Sequence, residues 1–242
     1  MASENRKVFM ENVLEFLLRK FTKRFNLIYL QKNMKKFIIL LIFCLQLSTY
    51  SQENFEGILK FKIKIQDKTG QMTDEETDIY VGNLQTYYLK GKKYKSEMNG
   101  ILKMATYHEG KDTLFTKMNG INTLMYSLTD ESEEKVVSYE FKKTDKIVLG
   151  YKCELLEVKT NKGFHQYYFN KDLKNSPTAY ENHKMGLWDF FNEKTGGALS
   201  IIQISDVEDF KSSIELISVE RKKLDNSIFV KPDLPVIKMP KD

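Results

Sequence analysis

The sequence predicts a mainly β fold, a long antiparallel meander that curls as a half-barrel around one or two helices. Apolar and polar residues alternate over many stretches, as in strands with one buried face and one solvated face. Short turn signals separate these stretches, so strands that follow one another should pair. One segment has helical spacing and would cover the concave face. A closed barrel or a sandwich would be the other ways to bury a meander of this length.

The residues before the first strand predict an export signal. Residues 34–51 contain two lysines, an apolar run of about eleven residues, and small residues Thr49 and Ser51 at the −3 and −1 positions. This pattern favours cleavage between Ser51 and Gln52. A bilayer span needs roughly twenty apolar residues, so the shorter run favours a cleaved signal over an anchor.

A signal peptide should stand at the N-terminus, yet residues 1–33 precede the one predicted here. Their apolar residues recur at near-helical spacing between basic residues, as in an amphipathic helix that touches membranes. We favour the simpler interpretation, a start codon assigned too early, with residues 1–33 as an upstream mis-start or a disordered leader. The expected organisation is therefore a signal peptide at 34–51 and a single β-rich domain at 52–242 with a proline-rich tail.

The leader also carries the net charge of the chain. Lysine and arginine number 38 and the acidic residues 33, giving a formal net charge of +5. Residues 1–51 hold 9 basic and 3 acidic residues, which leaves 29 basic and 30 acidic residues in the exported part. A net charge near −1 gives no electrostatic reason to expect a nucleic-acid partner.

The strands are predicted in chain order. Alternation is clearest at 55–66, where Leu59, Phe61 and Ile63 alternate with lysines. A polar loop at 67–76 precedes a strand at 78–90, and Gly91 turns the chain into a strand at 93–98. The remaining predicted strands share alternating or apolar patterns between turn signals: 101–108, 111–118, 121–128, 135–141, 146–149, 151–160, 164–169, 198–205 and 210–223.

A repeated tetrapeptide supplies the predicted hairpin turns. Met-Asn-Gly-Ile occurs at 98–101 and again at 118–121. Asn-Gly fits the two positive-φ positions of a type I′ turn, so the sequence predicts two tight hairpins here. The chain closes with an extended tail at 228–242, whose prolines should keep it out of ladder positions inside the sheet.

The predicted helix spans residues 182–194. Met185, Trp188 and Phe191 are three apart, with Phe190 beside them. If the sheet curls, this helix would plug its concave face. Met185, Trp188, Phe190 and Phe191 are therefore the candidate ligand-binding residues. Tyrosines recur along the strands, which fits ordinary sheet packing and also an apolar cleft with polar groups at its rim.

Catalytic signals are weak. The three histidines lie on different predicted elements without a metal-ligand spacing, and Cys153 is predicted to be a buried, inert thiol. Acidic pairs such as Glu133 and Glu134 fall in polar loops, where solvated charge is the usual state. The sequence contains no phosphate-binding glycine loop or nucleophile-elbow motif. We therefore expect no enzyme, no catalytic or metal residues and no cofactor.

Short motifs carry a resemblance to a known group of proteins. The chain has Phe55-Glu56-Gly57-Ile58 near its start, Gly150-Tyr151-Lys152-Cys153 in the middle, the Trp188 segment, and Leu224 to Pro232 near its end. In these it resembles uncharacterised secreted proteins of Bacteroidota, a family similar to the lipoprotein carriers LolA and LolB. That resemblance implies a half-barrel sheet that holds acyl chains around helices. It identifies no individual binding residue.

The expected function is that of an exported, non-catalytic protein that binds an apolar ligand, a lipid or lipidated peptide, in the cell envelope. Its expected location is the periplasm or outer envelope of a Gram-negative bacterium, with membrane contact only during export. The alternative is an envelope scaffold or adhesion module that binds protein or glycan. A hydrolase with clustered carboxylates is the third hypothesis. The sequence leaves the oligomeric state open.

Overall fold

A computed structural model of the chain describes residues 54–239. The predicted leader, signal peptide and cleavage site at Ser51 and Gln52 lie outside these residues. The elements that carry the fold are fourteen strands and two α-helices. In chain order they are β1 (Glu56–Asp67), α1 (Asp74–Tyr80), β2 (Leu84–Lys90), β3 (Lys93–Met98), β4 (Ala105–His108), β5 (Thr113–Lys117), β6 (Leu124–Leu128), β7 (Val136–Lys142), β8 (Ile147–Val148), β9 (Tyr151–Lys152), β10 (Glu154–Thr160), β11 (Gly163–Lys174), α2 (Trp188–Thr195), β12 (Ala198–Val207), β13 (Phe210–Arg221) and β14 (Val236–Lys238).

Twelve strands form one sheet in the order β14-β6-β5-β4-β3-β2-β1-β13-β12-β11-β10-β7. The mainly β prediction is thus confirmed, and the sheet is open rather than closed into a barrel. The first strand lies in the middle, because β1 pairs along its length with β13 near the other end of the chain. This pairing joins two meanders, β1 to β6 and β7 to β13, into a single surface. Strands β8 and β9 form a separate pair.

The two faces of β1 follow the predicted alternation. Leu59, Phe61 and Ile63 are buried, whereas the lysines between them are exposed. We call the face that carries these three side chains the inner face. Their burial places the main apolar core on this side of the sheet, which gives the driving force for folding.

Residues 175–197, here called the cover segment, cross the inner face. Asn175 donates a hydrogen bond to the Gly91 carbonyl in the turn between β2 and β3 (2.5 Å). The backbone N–H of Lys184 donates to the Thr129 carbonyl, just after β6 (2.8 Å). Helix α2 then packs Phe191 against Tyr167 and Phe169 of β11. The segment therefore bridges both meanders.

The helix in the cover segment is shorter than the 182–194 predicted. A 3-10 turn spans Met185–Leu187, and α2 begins at Trp188. Gly186 (φ 63°) and Leu187 (φ 58°) have left-handed backbone angles, which no right-handed helix continues through. The regular spacing of apolar residues concealed this break, because periodicity is insensitive to two residues with unusual angles.

The loop predicted at 67–76 contains the start of a helix. Helix α1 spans Asp74–Tyr80, so β2 begins at Leu84 and not at 78. Thr73 and Glu76 form a capping box, in which the threonine side chain accepts from the Glu76 N–H and the Glu76 carboxylate accepts from the Thr73 N–H. This Thr-x-x-Glu pattern was the sequence signal for the helix.

The predicted meander of β4, β5 and β6 is confirmed by their antiparallel pairing. The predicted two-residue turns are wrong, because six residues separate β3 from β4 and six separate β5 from β6. Gly100 lacks the positive φ that a type I′ turn requires. The proline-rich tail does take a ladder position, but at the sheet edge, where β14 pairs parallel to β6. Edge strands tolerate neighbouring prolines, since one side of their ladder is unpaired.

Candidate functional site: a cleft on the inner face

A cleft of about 670 Å³ lies between the inner face and the cover segment. Strands from both meanders line it, together with Trp188 and Phe191 of α2. Pockets that hold small apolar ligands fall in the range of roughly 300–1,000 Å³. The inner face is therefore not filled completely by the side chains of the chain itself.

The side chains that line the cleft change from polar to apolar along the strands. The pairing of residues on neighbouring strands places them in successive rows. Ile65, Ser212, Ser205 and His165 form one cross-strand row on neighbouring strands β1, β13, β12 and β11. The next row towards the middle of β1 consists of Ile63, Ile214, Gln203 and Tyr167.

Beyond these rows, Phe61 and Leu59 continue the inner face of β1. The cleft thus has a polar end at His165, Ser205 and Ser212, and it becomes apolar towards Leu59. We refer to the row of these three side chains as the polar row.

Aromatic rings form the wall opposite the apolar end. The Trp188 ring lies 5.0 Å from each of the rings of Tyr94, Tyr180 and His183, measured between centroids. Tyr87 completes the group at 6.2 Å from Trp188. Because these rings come from β2, β3 and the cover segment, they fix the position of Trp188 over the sheet.

The structure separates the four predicted ligand-binding residues. Trp188 and Phe191 line the cleft. Met185 packs beside the main core without lining the cleft. Phe190 points towards the sheet edge and lies 5.3 Å from the Tyr139 ring of β7. The shared helical stripe does not bring these side chains together, since Met185 precedes the break at Gly186 and Leu187.

His165 joins two neighbours in a buried hydrogen-bonded chain. Its Nε2 lies 2.7 Å from a carboxylate oxygen of Glu134, and its Nδ1 lies 2.9 Å from the Ser205 hydroxyl. An ionised carboxylate only accepts hydrogen bonds, so Nε2 carries a proton; in the neutral ring Nδ1 is then the acceptor and the Ser205 hydroxyl the donor. The hydrogen bond from His165 lowers the pKa of Glu134 below its ordinary value. Glu134 is therefore not the solvated loop charge that the sequence predicts.

This connectivity is that of a nucleophile, a base and an acid, as in a catalytic triad. Acyl transfer also requires donors for the developing oxyanion. Ser205 lies within β12, between β11 and β13, where backbone N–H groups belong to the ladders. Its nearest additional donor is the Gln203 amide, 3.4 Å from the hydroxyl. We interpret the hydrogen-bonded series of Glu134, His165 and Ser205 as a polar network that holds the end of the cleft in place.

The other two histidines meet under the cover segment. The rings of His108 and His183 lie 5.4 Å apart and both are buried. His183 Nδ1 donates to the Met185 carbonyl (3.1 Å), so its Nε2 accepts from the Tyr94 hydroxyl (2.8 Å). Burial, with a smaller contribution from His108, lowers the pKa of His183 to about 4. Both rings are therefore neutral at pH 7. Their contacts hold the cover segment against the sheet.

The remaining groups considered are Cys153, the possible metal ligands and the helices of residues 54–239. Cys153 is buried between β9 and β10, and burial raises the pKa of its thiol, which keeps it protonated. No cluster of three or more histidine, cysteine or acidic side chains in this range is placed to hold a metal ion. Neither helix of the described chain has the length and apolar character needed to cross a membrane.

Comparisons with known proteins add little to this description. No protein-family model matches the chain, and no curated protein does. Two crystal structures of PNGF-II are similar to it. The one in space group P21 shares 13% identity over 76% of this chain and 31% of PNGF-II, with a TM-score of 0.33. The one in space group C2 shares 16% identity over 75% and 31%, with a TM-score of 0.30. The chain thus spans less than a third of PNGF-II.

Proposed function

We propose that this protein is an exported, non-catalytic binder of an apolar ligand, a lipid or lipidated peptide, in the cell envelope. The observation that carries the proposal is the cleft of about 670 Å³ between the inner face and the cover segment. A fully packed inner face would leave no room for a ligand. Burying an acyl chain there would remove apolar surface from water, at about 25 cal/mol per Å².

Two features of the sheet support the proposal of a half-barrel like that of the lipoprotein carriers. It is open, and strands as far apart in its order as β4 and β11 line the same cleft, through Thr106 and Tyr167. A flat sheet would keep such strands about 29 Å apart, six spacings of roughly 4.8 Å each. We infer that the sheet curls around the cover segment. The resemblance to secreted Bacteroidota proteins points the same way.

The setting in the envelope rests on the predicted signal peptide at 34–51. The partner of the exported protein would be a lipid or lipoprotein, and the proposal includes no nucleic acid, metal or cofactor. The chain would meet a membrane only during export.

The test is native mass spectrometry of the protein made from the full gene in a Gram-negative host and purified from the envelope without detergent. We expect a polypeptide mass that begins at Gln52, accompanied by adducts of lipid mass that leave on activation. A mass that includes Met1 would contradict the predicted signal. Protein that is always free of adducts, even after incubation with envelope lipids, would contradict the binding function.

The alternative, a scaffold or adhesion module, is favoured by one surface. Strand β7 is an edge of the large sheet, and it exposes Val137 (63%), Tyr139 (47%) and Phe141 (46%). An edge strand with exposed apolar side chains is suited to pairing with another chain. Replacement of Val137 and Phe141 by lysine would abolish partner capture if this alternative holds. Lipid binding in the cleft would be unaffected.

A further inference from the structure

The polar row contains a hydroxyl that the protein leaves unused. Ser212 is 7% exposed and lines the cleft. The other two members of the polar row have partners, since Ser205 and His165 are hydrogen-bonded to each other and His165 donates to Glu134. Within residues 54–239 the Ser212 hydroxyl has no hydrogen-bond partner. No fully buried side-chain polar atom in this range lacks a partner, so the Ser212 oxygen faces the open space of the cleft, where a ligand group can form a hydrogen bond with it.

Gln203 lies one row further in and faces the same space. Its amide nitrogen makes a long bond of 3.4 Å to Ser205, and its carbonyl oxygen is free to accept. Ser212 and Gln203 occupy the neighbouring strands β13 and β12, in adjacent rows of the inner face. Together they offer a donor and an acceptor to a group at the polar end of the cleft.

The charges around the cleft indicate which groups would suit this end. The lining includes Glu134, Glu208 and Asp209, and Lys162 is the lysine that it contains. The Lys162 ammonium group pairs with Glu133 at 3.5 Å. A ligand carboxylate would therefore meet mostly like charge and no unpaired cation, which disfavours its burial.

A cationic head group fits no better at the buried row. Glu134 is the carboxylate in reach of the row, and one of its oxygens already accepts from His165 and Thr160. Glu208 and Asp209 lie on the exposed turn between β12 and β13, where water and salt screen their charge. The polar row therefore favours an uncharged hydrogen-bonding group.

We propose that the cleft binds acyl compounds with uncharged heads, in one orientation. An ester, amide or hydroxyl group of the ligand hydrogen-bonds to Ser212 and Gln203, and the acyl chain lies along Ile63 and Phe61 towards Trp188. Free fatty acids are the ligands that this arrangement rejects at neutral pH. The inference rests on the proposed lipid-binding function and adds the chemical class and direction of the ligand.

The test is calorimetric titration of the exported protein with three ligands on the same twelve-carbon chain: monolauroylglycerol, laurate and dodecylamine at pH 7.5. We expect monolauroylglycerol to bind about 10-fold more tightly than either charged ligand, the effect of one unpaired charge at a partly wet site. Ser212→Ala should weaken monolauroylglycerol binding about 2–10-fold, the range for one hydrogen bond, and leave laurate unchanged.

Ser213→Ala is the matched control, because Ser213 is the adjacent serine on the exposed face of β13. It should bind all three ligands like the unaltered protein, and thermal unfolding would confirm that both variants are folded. Equal affinities, tighter binding of laurate or dodecylamine, or an unaffected Ser212→Ala variant would overturn the inference while leaving lipid binding intact. Failure of all three ligands to bind would instead overturn the proposed function, and the inference with it.

Discussion

His183 illustrates how one buried residue couples the cover segment to the sheet. Its ring accepts a hydrogen bond from Tyr94 of β3 and donates one to the Met185 carbonyl, and it stacks on Trp188 with ring centroids 5.0 Å apart. All three contacts suit the neutral imidazole. This role was not predictable, since His183 and Tyr94 are distant in the chain and nothing in their local pattern predicts a contact.

The lowered pKa of His183 predicts acid sensitivity. Its pKa falls from 6.5 to about 4 on folding, so the unfolded state binds more protons between these values and stability is lost as the pH falls from 6.5 to 4. At 1.36 kcal/mol per pKa unit, the loss approaches about 3 kcal/mol. Burial lowers the pKa of His108 as well, which acts in the same direction. Urea unfolding at a series of pH values measures this dependence.

Two variants isolate the contribution of His183. His183→Gln should be less stable at pH 7 and show a flatter pH dependence between 6.5 and 4. Tyr94→Phe removes the hydroxyl that donates to the ring but keeps the titrating group, so it should retain most of the dependence. A slope that is unchanged in His183→Gln would show that other groups account for the acid sensitivity.

The contact between Glu134 and His165 was likewise not predictable from the sequence. Acidic residues in a polar loop are solvated as a rule, and Glu133 follows it with a side chain 80% exposed. The neighbouring Glu134 is 16% exposed because its loop folds back over His165. Only the pairing of β10 with β7 and β11 brings these groups together. Their contact therefore depends on tertiary structure and has no local signature.

At the scale of elements, the repeated Met-Asn-Gly-Ile shows how one motif serves two structures. At Asn119-Gly120 the glycine has φ 77° in an open turn. At Asn99-Gly100 the Asn99 side chain accepts from the N–H groups of Asn83 and Leu84, and Gly100 packs against the end of α1. The strands on either side were predictable because their alternation is local. The turn types were not, because α1 determines the first one.

This difference predicts unequal effects of alanine at the two glycines. A Cβ at Gly100 would overlap the backbone of Tyr80 and Val81, so Gly100→Ala should destabilise the protein by more than about 2 kcal/mol. A Cβ at Gly120 would meet no neighbour. Gly120→Ala should therefore lower the free energy of unfolding by only about 1 kcal/mol, because of the left-handed backbone alone. Chemical denaturation measures both. Equal costs would mean that α1 does not pack on the 99–100 turn.

At the scale of the whole molecule, the mainly β architecture and most strand neighbours follow from the sequence. Hairpin partners are close in the chain, and the pattern of β1 already shows one apolar face. The pairing of β1 with β13 was not predictable, since nothing in the sequence selects the partner of a central strand when the paired residues are 143 to 164 positions apart. The cleft depends on that pairing, because it joins the apolar strands to the polar row.

Native mass spectrometry of two tryptophan variants beside the unaltered protein tests whether lipid binds in the cleft. Ile214 lines the cleft, whereas Ile217, on the same strand, is 44% exposed outside it. Ile214→Trp should fill the cleft and lower the lipid-bound fraction at least about 10-fold, while Ile217→Trp should retain it. Thermal unfolding would confirm that both are folded. Equal lipid occupancy in all three proteins would contradict binding in the cleft.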